Sequence, residues 1–302
     1  MTFEKIYQNR GEEENDEFFA IRHSKAEGQL HKGIVKSDNP EATPSSDKQW
    51  FNSDLTPEGI KLAHEKAEEF FSNLDPQKDA LYFVSSDLVR AAQTAKIYLD
   101  VARRKGFEII QPREKSEKFP DNRPNKAEEI GEGEIRKIRC LTLDHLENVI
   151  RERIFKPDNY LEEAPSEIRD KVSPETKEKW AVARKIVEAD NKGTWGDNYV
   201  AYSEEIEKIF PNVKSAETVY KLKFMKMLRL IKFAQEKINE QNPEKNIKIL
   251  GFSHENSFLY FLNKNFGESM KHCESIAFKV EDGETNDKKI MVTTKGKTME
   301  VK

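Results

Sequence analysis

A chain of 302 residues is long enough for one large domain, or for one domain carrying a sizeable insertion. Its 55 acids against 51 bases give a net charge of -4, so nothing global implies the basic face that nucleic acid requires. Two distant cysteines, Cys140 and Cys273, have no metal-ligand spacing, no run reaches the ~20 apolar residues of a membrane span, and the first residues hold no signal-peptide core, so a soluble cytoplasmic protein with reduced thiols is expected.

The first ordered signal is "FFAI", Phe18–Ile21, a strand-like run that leads directly into Arg22-His23. Residues 24–55 read as a long irregular loop, a length usually reserved for function. Thr56 is a good N-cap and Pro57 suits the first helical position, so a helix is expected to about Ser72, with Ile60, Ala63, Ala67, Phe70 and Phe71 on one side. "DALYFVSS" lacks polar alternation, as a strand buried on both faces does. "DLVRAAQTAKIYLDVARRKG" reads as a helix closed by Gly106, and "FEII" as a third strand.

From 118 to 214 the chain is charged and interrupted by prolines, with helical patches expected around 141–155, 175–189 and 202–209. Residues 215–241 read as a long helix with Phe224, Met227, Leu228, Ile231 and Ala234 at helical spacing. "NIKILGF" is a strand, "SHENSFLYFLNKNFG" a loop and helix, and "SIAFKV" and "KIMVTTKG" a terminal hairpin. Alternating strands and helices imply an α/β three-layer sandwich, a mostly parallel central sheet flanked by helices. Its core comes from 1–117 and 215–302, with 118–214 a largely helical insertion or cap.

Three apolar strands end alike. Ile21 leads into Arg22-His23, Val84 into Ser85-Ser86 with Arg90 just beyond, and Phe252 into Ser253-His254. Open α/β sheets bind ligands outside the carboxyl ends of their strands, so two histidines and two arginines are expected in one crevice. Arginine forks fit phosphate oxygens. A neutral histidine can attack phosphorus, a protonated one can stabilise the phosphoryl oxygens, and a carboxylic acid must protonate the leaving oxygen.

"IRHSKAEGQ", "SDLTPEGIKLA", "SSDLVRAAQTA" and "ILGFSHE" together resemble the histidine phosphatase superfamily, the phosphoglycerate-mutase-like branch. The resemblance implies phosphomonoester hydrolysis through a phosphohistidine, with a phosphoglycerate-type mutase or a catalytically weak phosphate-binding member as alternatives. It implies His23 as the phosphorylated nucleophile, Arg22, Arg90 and His254 as phosphoryl-holding groups, and Gln29 as a further phosphate contact. For the proton donor, Glu117 is preferred to Glu114, with Glu255 as rival donor or substrate contact. No metal and no cofactor are implied; the expected partner is a small phosphorylated substrate, with neither nucleic acid nor membrane. Lys126, Arg136, Lys137 and Arg139 are candidates for further anionic contacts, or equally a solvated charged face. His31, His64, His145 and His272 have no motif partners and read as structural or solvated.

Overall fold

The computed structural model describes residues 17–26, 54–112, 130–137, 154–155, 173–224, 228, 237–238, 244–267, 269–282 and 288–301. In chain order these form β1 (Glu17–Arg22), α1 (Pro57–Phe71), β2 (Asp79–Ser85), α2 (Val89–Arg104), β3 (Glu108–Ile109), β4 (Ile135–Lys137), α3 (Pro174–Ala189), α4 (Trp195–Ile209) and α5 (Ala216–Val219). After a π-turn at Tyr220–Phe224 come β5 (Asn246–Ser253), α6 (Leu259–Phe266), β6 (Ser275–Asp282), β7 (Lys288–Thr294) and β8 (Lys297–Val301).

The sheet runs β3-β2-β5-β1-β6-β7-β8, with β4 also paired to β2. It is mixed. From β3 to β1 every pairing is parallel, whereas β1–β6, β6–β7 and β7–β8 are antiparallel. All seven residues of β2 are buried, as its unbroken apolar run requires. Alternation of side chains sorts them to two faces. Leu81 and Phe83, with Ile21, Leu250 and Phe252, pack under Ala67 and Phe71 of α1 and Ala95, Tyr98 and Leu99 of α2. Ala80, Tyr82 and Val84, with Phe18 and Ile249, pack on the opposite face under Phe224, Phe258 and Phe261. Helical segments therefore cover both sides of the parallel half.

A third apolar cluster joins Trp180 of α3, Tyr199 and Ile206 of α4, and Leu259 of α6. Asn263 of α6 donates to Asp197 of α4 at 3.0 Å, and a Cβ on Gly196 would come within 2.9 Å of Leu259. Helix α3 occupies the 175–189 patch; α4 begins earlier than the 202–209 patch because Thr194 caps it, its Oγ1 accepting from Asp197 N at 3.1 Å. Of the 141–155 patch only 154–155 is described, and it is helical. One part of the 118–214 segment is sheet rather than helix: Ile135–Lys137 pairs with Phe83–Ser85. The expected helix over 215–241 is described at Ala216–Phe224 and at positions 228, 237 and 238, and Phe224 and Leu228 are buried as its periodicity requires.

Two local departures have simple causes. Ile60 is 44% exposed, because α1 turns Gly59, Ala63, Ala67 and Phe71 inward instead. The last expected strand, "KIMVTTKG", is β7 and a two-residue hairpin turn at Lys295-Gly296, with φ values of 49° and 74°, and it is followed by β8, a strand the sequence reading did not expect. Lys-Gly lacks the Asn-Gly or Asp-Gly signature of that turn, so the sequence shows no break there. Among the described residues, no helix is long and apolar enough to cross a membrane.

The start of α1 is tied to the segment leaving β1. Lys25 O accepts from Thr56 N at 3.1 Å, and Ala26 and Leu55 form an antiparallel bridge. This close approach requires glycine at position 59, where an added Cβ would sit 2.2 Å from Lys25 O. Gly59→Ala is expected to destabilise the fold by about 1–3 kcal/mol, measured as a lowered urea midpoint; an unchanged midpoint would show that this contact does not constrain the fold.

Candidate active site

Parallel register sets the site. Arg22 of β1 lies opposite Ser253 of β5, and Ser85 of β2 opposite Phe252, so three strands end at one level. The ladder continues one residue further: His23 N donates to Ser253 O and Ser86 N to Phe252 O, both at 2.9 Å. The next side chains must therefore emerge together at the carboxyl edge. His23 and His254, more than two hundred positions apart in sequence, have ring centroids 4.9 Å apart.

Two hydrogen bonds define the state of His23. Its Nδ1 lies 2.6 Å from Ser24 O, and a carbonyl can only accept, so Nδ1 carries the proton. Arg90 Nε, a permanent donor, lies 3.1 Å from His23 Nε2, which therefore presents its lone pair. Both bonds select one neutral tautomer. Burial first, then the charges of Arg90, His254 and Arg22, hold the His23 pKa well below its ordinary value. The result is a neutral imidazole with an unprotonated Nε2 beside a guanidinium.

The remaining motif residues brace this pair. Thr94 Oγ1 donates to Arg90 O at 2.7 Å and accepts from Ser24 N at 3.0 Å. Ser24 Oγ donates to Gly59 O at 2.7 Å. Gln93 donates to Asp54 at 2.7 Å and accepts from Leu55 N at 2.8 Å, fixing the entry to α1. Ser86 Oγ is 2.9 Å from His254 Nε2. The stretch "SSDLVRAAQTA" thus supplies one arginine to the site and, through Ser86, Gln93 and Thr94, holds the groups around it.

Arg22 makes a 2.9 Å ion pair with Glu255 and donates to Met270 O. Burial pulls its pKa below the ordinary value, opposed by Glu255 and Glu274. Five of the sequence-derived candidates, Arg22, His23, Arg90, His254 and Glu255, therefore gather at one strand edge. Gln29, Glu114 and Glu117 lie outside the described residues, as do Lys126 and Arg139. Arg136 is exposed on β4, and Lys137 Nζ donates to the carbonyl of Ile130 at 2.7 Å.

Sequence reasoning set His272 aside as structural or solvated, yet it stands beside the nucleophile candidate, with ring centroids 5.9 Å apart. It arrives on the chain entering β6, where Cys273 N donates to Arg22 O at 3.0 Å and Arg22 N to Glu274 O at 3.1 Å. No motif spacing marks it; the only available signal was its place just before a strand paired to β1. Burial, with Arg22 and Lys25 nearby, lowers its pKa to about 3. Among the described residues, no group of three or more His, Cys, Asp or Glu side chains is disposed to hold a metal ion.

No family model and no curated protein matches the chain. Solved structures do match, and they are histidine phosphatase superfamily members. A phosphoglycerate mutase from Bacillus anthracis is 11% identical, with 95% of this chain and 91% of that chain covered and a TM-score of 0.40. A mycobacterial glucosyl-3-phosphoglycerate phosphatase is 12% identical, with 93% and 98% covered and a TM-score of 0.44. A mutant phosphoserine phosphatase from Entamoeba histolytica, in complex with phosphoserine, is 15% identical, with 95% of each chain covered and a TM-score of 0.38.

The two lowered histidines have a consequence for stability. Each stays neutral in the fold at pH values where the unfolded chain, titrating near 6.5, already binds a proton. The unfolded state then holds more protons, so stability is full above about pH 6.5 and falls as the pH drops, for His272 down to about 3. Each group contributes a slope of up to ~1.4 kcal/mol per pH unit. Urea unfolding between pH 7 and 5 is expected to lose about one proton's worth of slope in His272→Gln; an unaltered slope would mean that His272 titrates normally.

Proposed function

We propose that the protein hydrolyses phosphomonoesters through a phosphohistidine on His23. The observation that carries this reading is the doubly fixed tautomer: Nδ1–H held by Ser24 O at 2.6 Å and an Nε2 lone pair facing Arg90 at 3.1 Å. A nucleophilic imidazole needs that state, and a phosphoryl dianion needs the adjacent guanidinium.

In the first step the His23 Nε2 lone pair attacks phosphorus in line, and the bond to the ester oxygen breaks. Arg90 turns its donors from Nε2 to the phosphoryl oxygens, joined by Arg22 and His254. The leaving alkoxide takes its proton from Glu117, in the segment after β3. Glu255 is engaged by Arg22, an arrangement better suited to holding that guanidinium than to donating a proton. In the second step water attacks phosphorus, Glu117 takes back a proton, the P–N bond breaks, and phosphate leaves. Gln29 is the proposed further contact to the bound phosphoryl group. The 118–214 segment, whose helices pack on α6 shortly after His254, is proposed to shape substrate choice.

The test is phosphate release from p-nitrophenyl phosphate together with trapping of labelled phosphate on the enzyme. His23→Ala is expected to abolish both, and Arg90→Ala to lower turnover by roughly 100- to 1000-fold, as loss of a transition-state donor does. Wild-type turnover retained in His23→Ala would overturn the assignment. For the acid, Glu117→Gln is expected to slow alkyl phosphates far more than p-nitrophenyl phosphate, whose leaving group needs no proton. Equal slowing of both substrates would remove Glu117 from that role.

A further inference from the structure

Strand β1 lies between β5 and β6, so the residue that follows it is approached from both sides. His254 comes from the β5 side, and His272 from the β6 side. The β1–β6 pairing sets Ile21 opposite Ser275, and the bonds Arg22 N to Glu274 O and Cys273 N to Arg22 O carry it past the strand end. Cys273 sits there at a φ of 58°, a conformation that non-glycine residues adopt rarely, and this bend accompanies His272 as it stands beside His23. The ring meets that of His23 edge-on, with an interplanar angle of 61°.

Two polar atoms at this position, His272 Nε2 and Arg22 Nε, are buried and have no hydrogen-bond partner among the described residues. Buried donors without partners are rare and each calls for an explanation. The two residues are near enough for the Arg22 charge to act on the His272 ring. His272 approaches His23 from the β6 side, and Arg22 directly precedes His23 on β1.

We infer that His272 is a third imidazole of the phosphoryl site, donating from Nε2 to a non-bridging oxygen on the β6 side of His23, next to Arg22 Nε. The inference rests on the phosphatase reading for the identity of the anion. A neutral imidazole carries one N–H, and with its proton on Nε2 it offers that donor inward. A small tetrahedral oxyanion would then be gripped from three strands: Arg90 after β2, His254 after β5, and Arg22 with His272 at the β1–β6 junction. The chemical class is a terminal phosphoryl group, which presents three such oxygens.

Titration of orthovanadate into the full chain tests this. His272→Phe keeps a ring and removes the donor; His272→Gln keeps a donor and changes the ring. Thermal melts confirm that each variant is folded. Vanadate is expected to bind His272→Phe about 10- to 100-fold more weakly than wild type, the range for a hydrogen bond to a charged group, and His272→Gln is expected to recover part of that loss. Wild-type affinity in a folded His272→Phe, or equal losses in both variants, would overturn the inference, while phosphate trapped on His23 would leave the hydrolytic reading standing. The converse is separable: a vanadate loss specific to His272→Phe with no label on His23 supports the third imidazole and removes the phosphohistidine. Failure of the wild type to bind vanadate would overturn both.

Discussion

The site depends on one hydrogen bond, from His23 Nδ1 to the carbonyl of the next residue, Ser24, at 2.6 Å. An imidazole in the other tautomer would aim a lone pair at that carbonyl and a proton at the Arg90 guanidinium, and both contacts would be repulsive. Everything around the carbonyl serves to hold it still. Thr94 anchors the Ser24 amide, Gly59 O takes the Ser24 hydroxyl, and Lys25 O meets the first turn of α1. Two helices are thereby used to fix the peptide that orients a single ring. A side chain as small as a methyl at position 59 would displace that peptide, which is why glycine occurs in the first turn of a helix that otherwise favours alanine.

Charge is arranged to the same end. Arg90 and Arg22 act on His23, which burial keeps uncharged, and Arg22 and Lys25 act on His272; Glu255 is paired to Arg22. The neutral state of His23 follows first from lost solvation, then from the neighbouring charges of Arg90, His254 and Arg22. The charges proposed to attract a dianion are thus also charges that keep His23 unprotonated.

How much of this the sequence disclosed depends on where the information lay. The unbroken apolar runs of β2 and β5, the Thr56-Pro57 helix start and the phosphate-binding residue types at strand ends are local signals, and they survive in the fold. The strand edge that brings His23 within 4.9 Å of His254 follows from a general rule about parallel sheets. What escaped notice has no local signature. β4 is three residues long and exists only because β2 offers an edge; β8 is separated from β7 by an unremarkable Lys-Gly. His272 reaches the site through antiparallel pairing of β6 with β1, a relationship that neither spacing nor periodicity encodes. The mixed character of the sheet has the same origin, since strand direction is decided by distant neighbours.

Strand order has a temporal consequence. β5 lies between β1 and β2, although it follows both by well over a hundred residues of chain. A growing polypeptide therefore makes the first and second strands long before the one that must separate them, and their inner edges stay unpaired meanwhile. The site cannot form before His254 and His272 are made, more than two hundred residues after His23. A ribosome-bound fragment would carry His23 without its surroundings until the central strand slides into place.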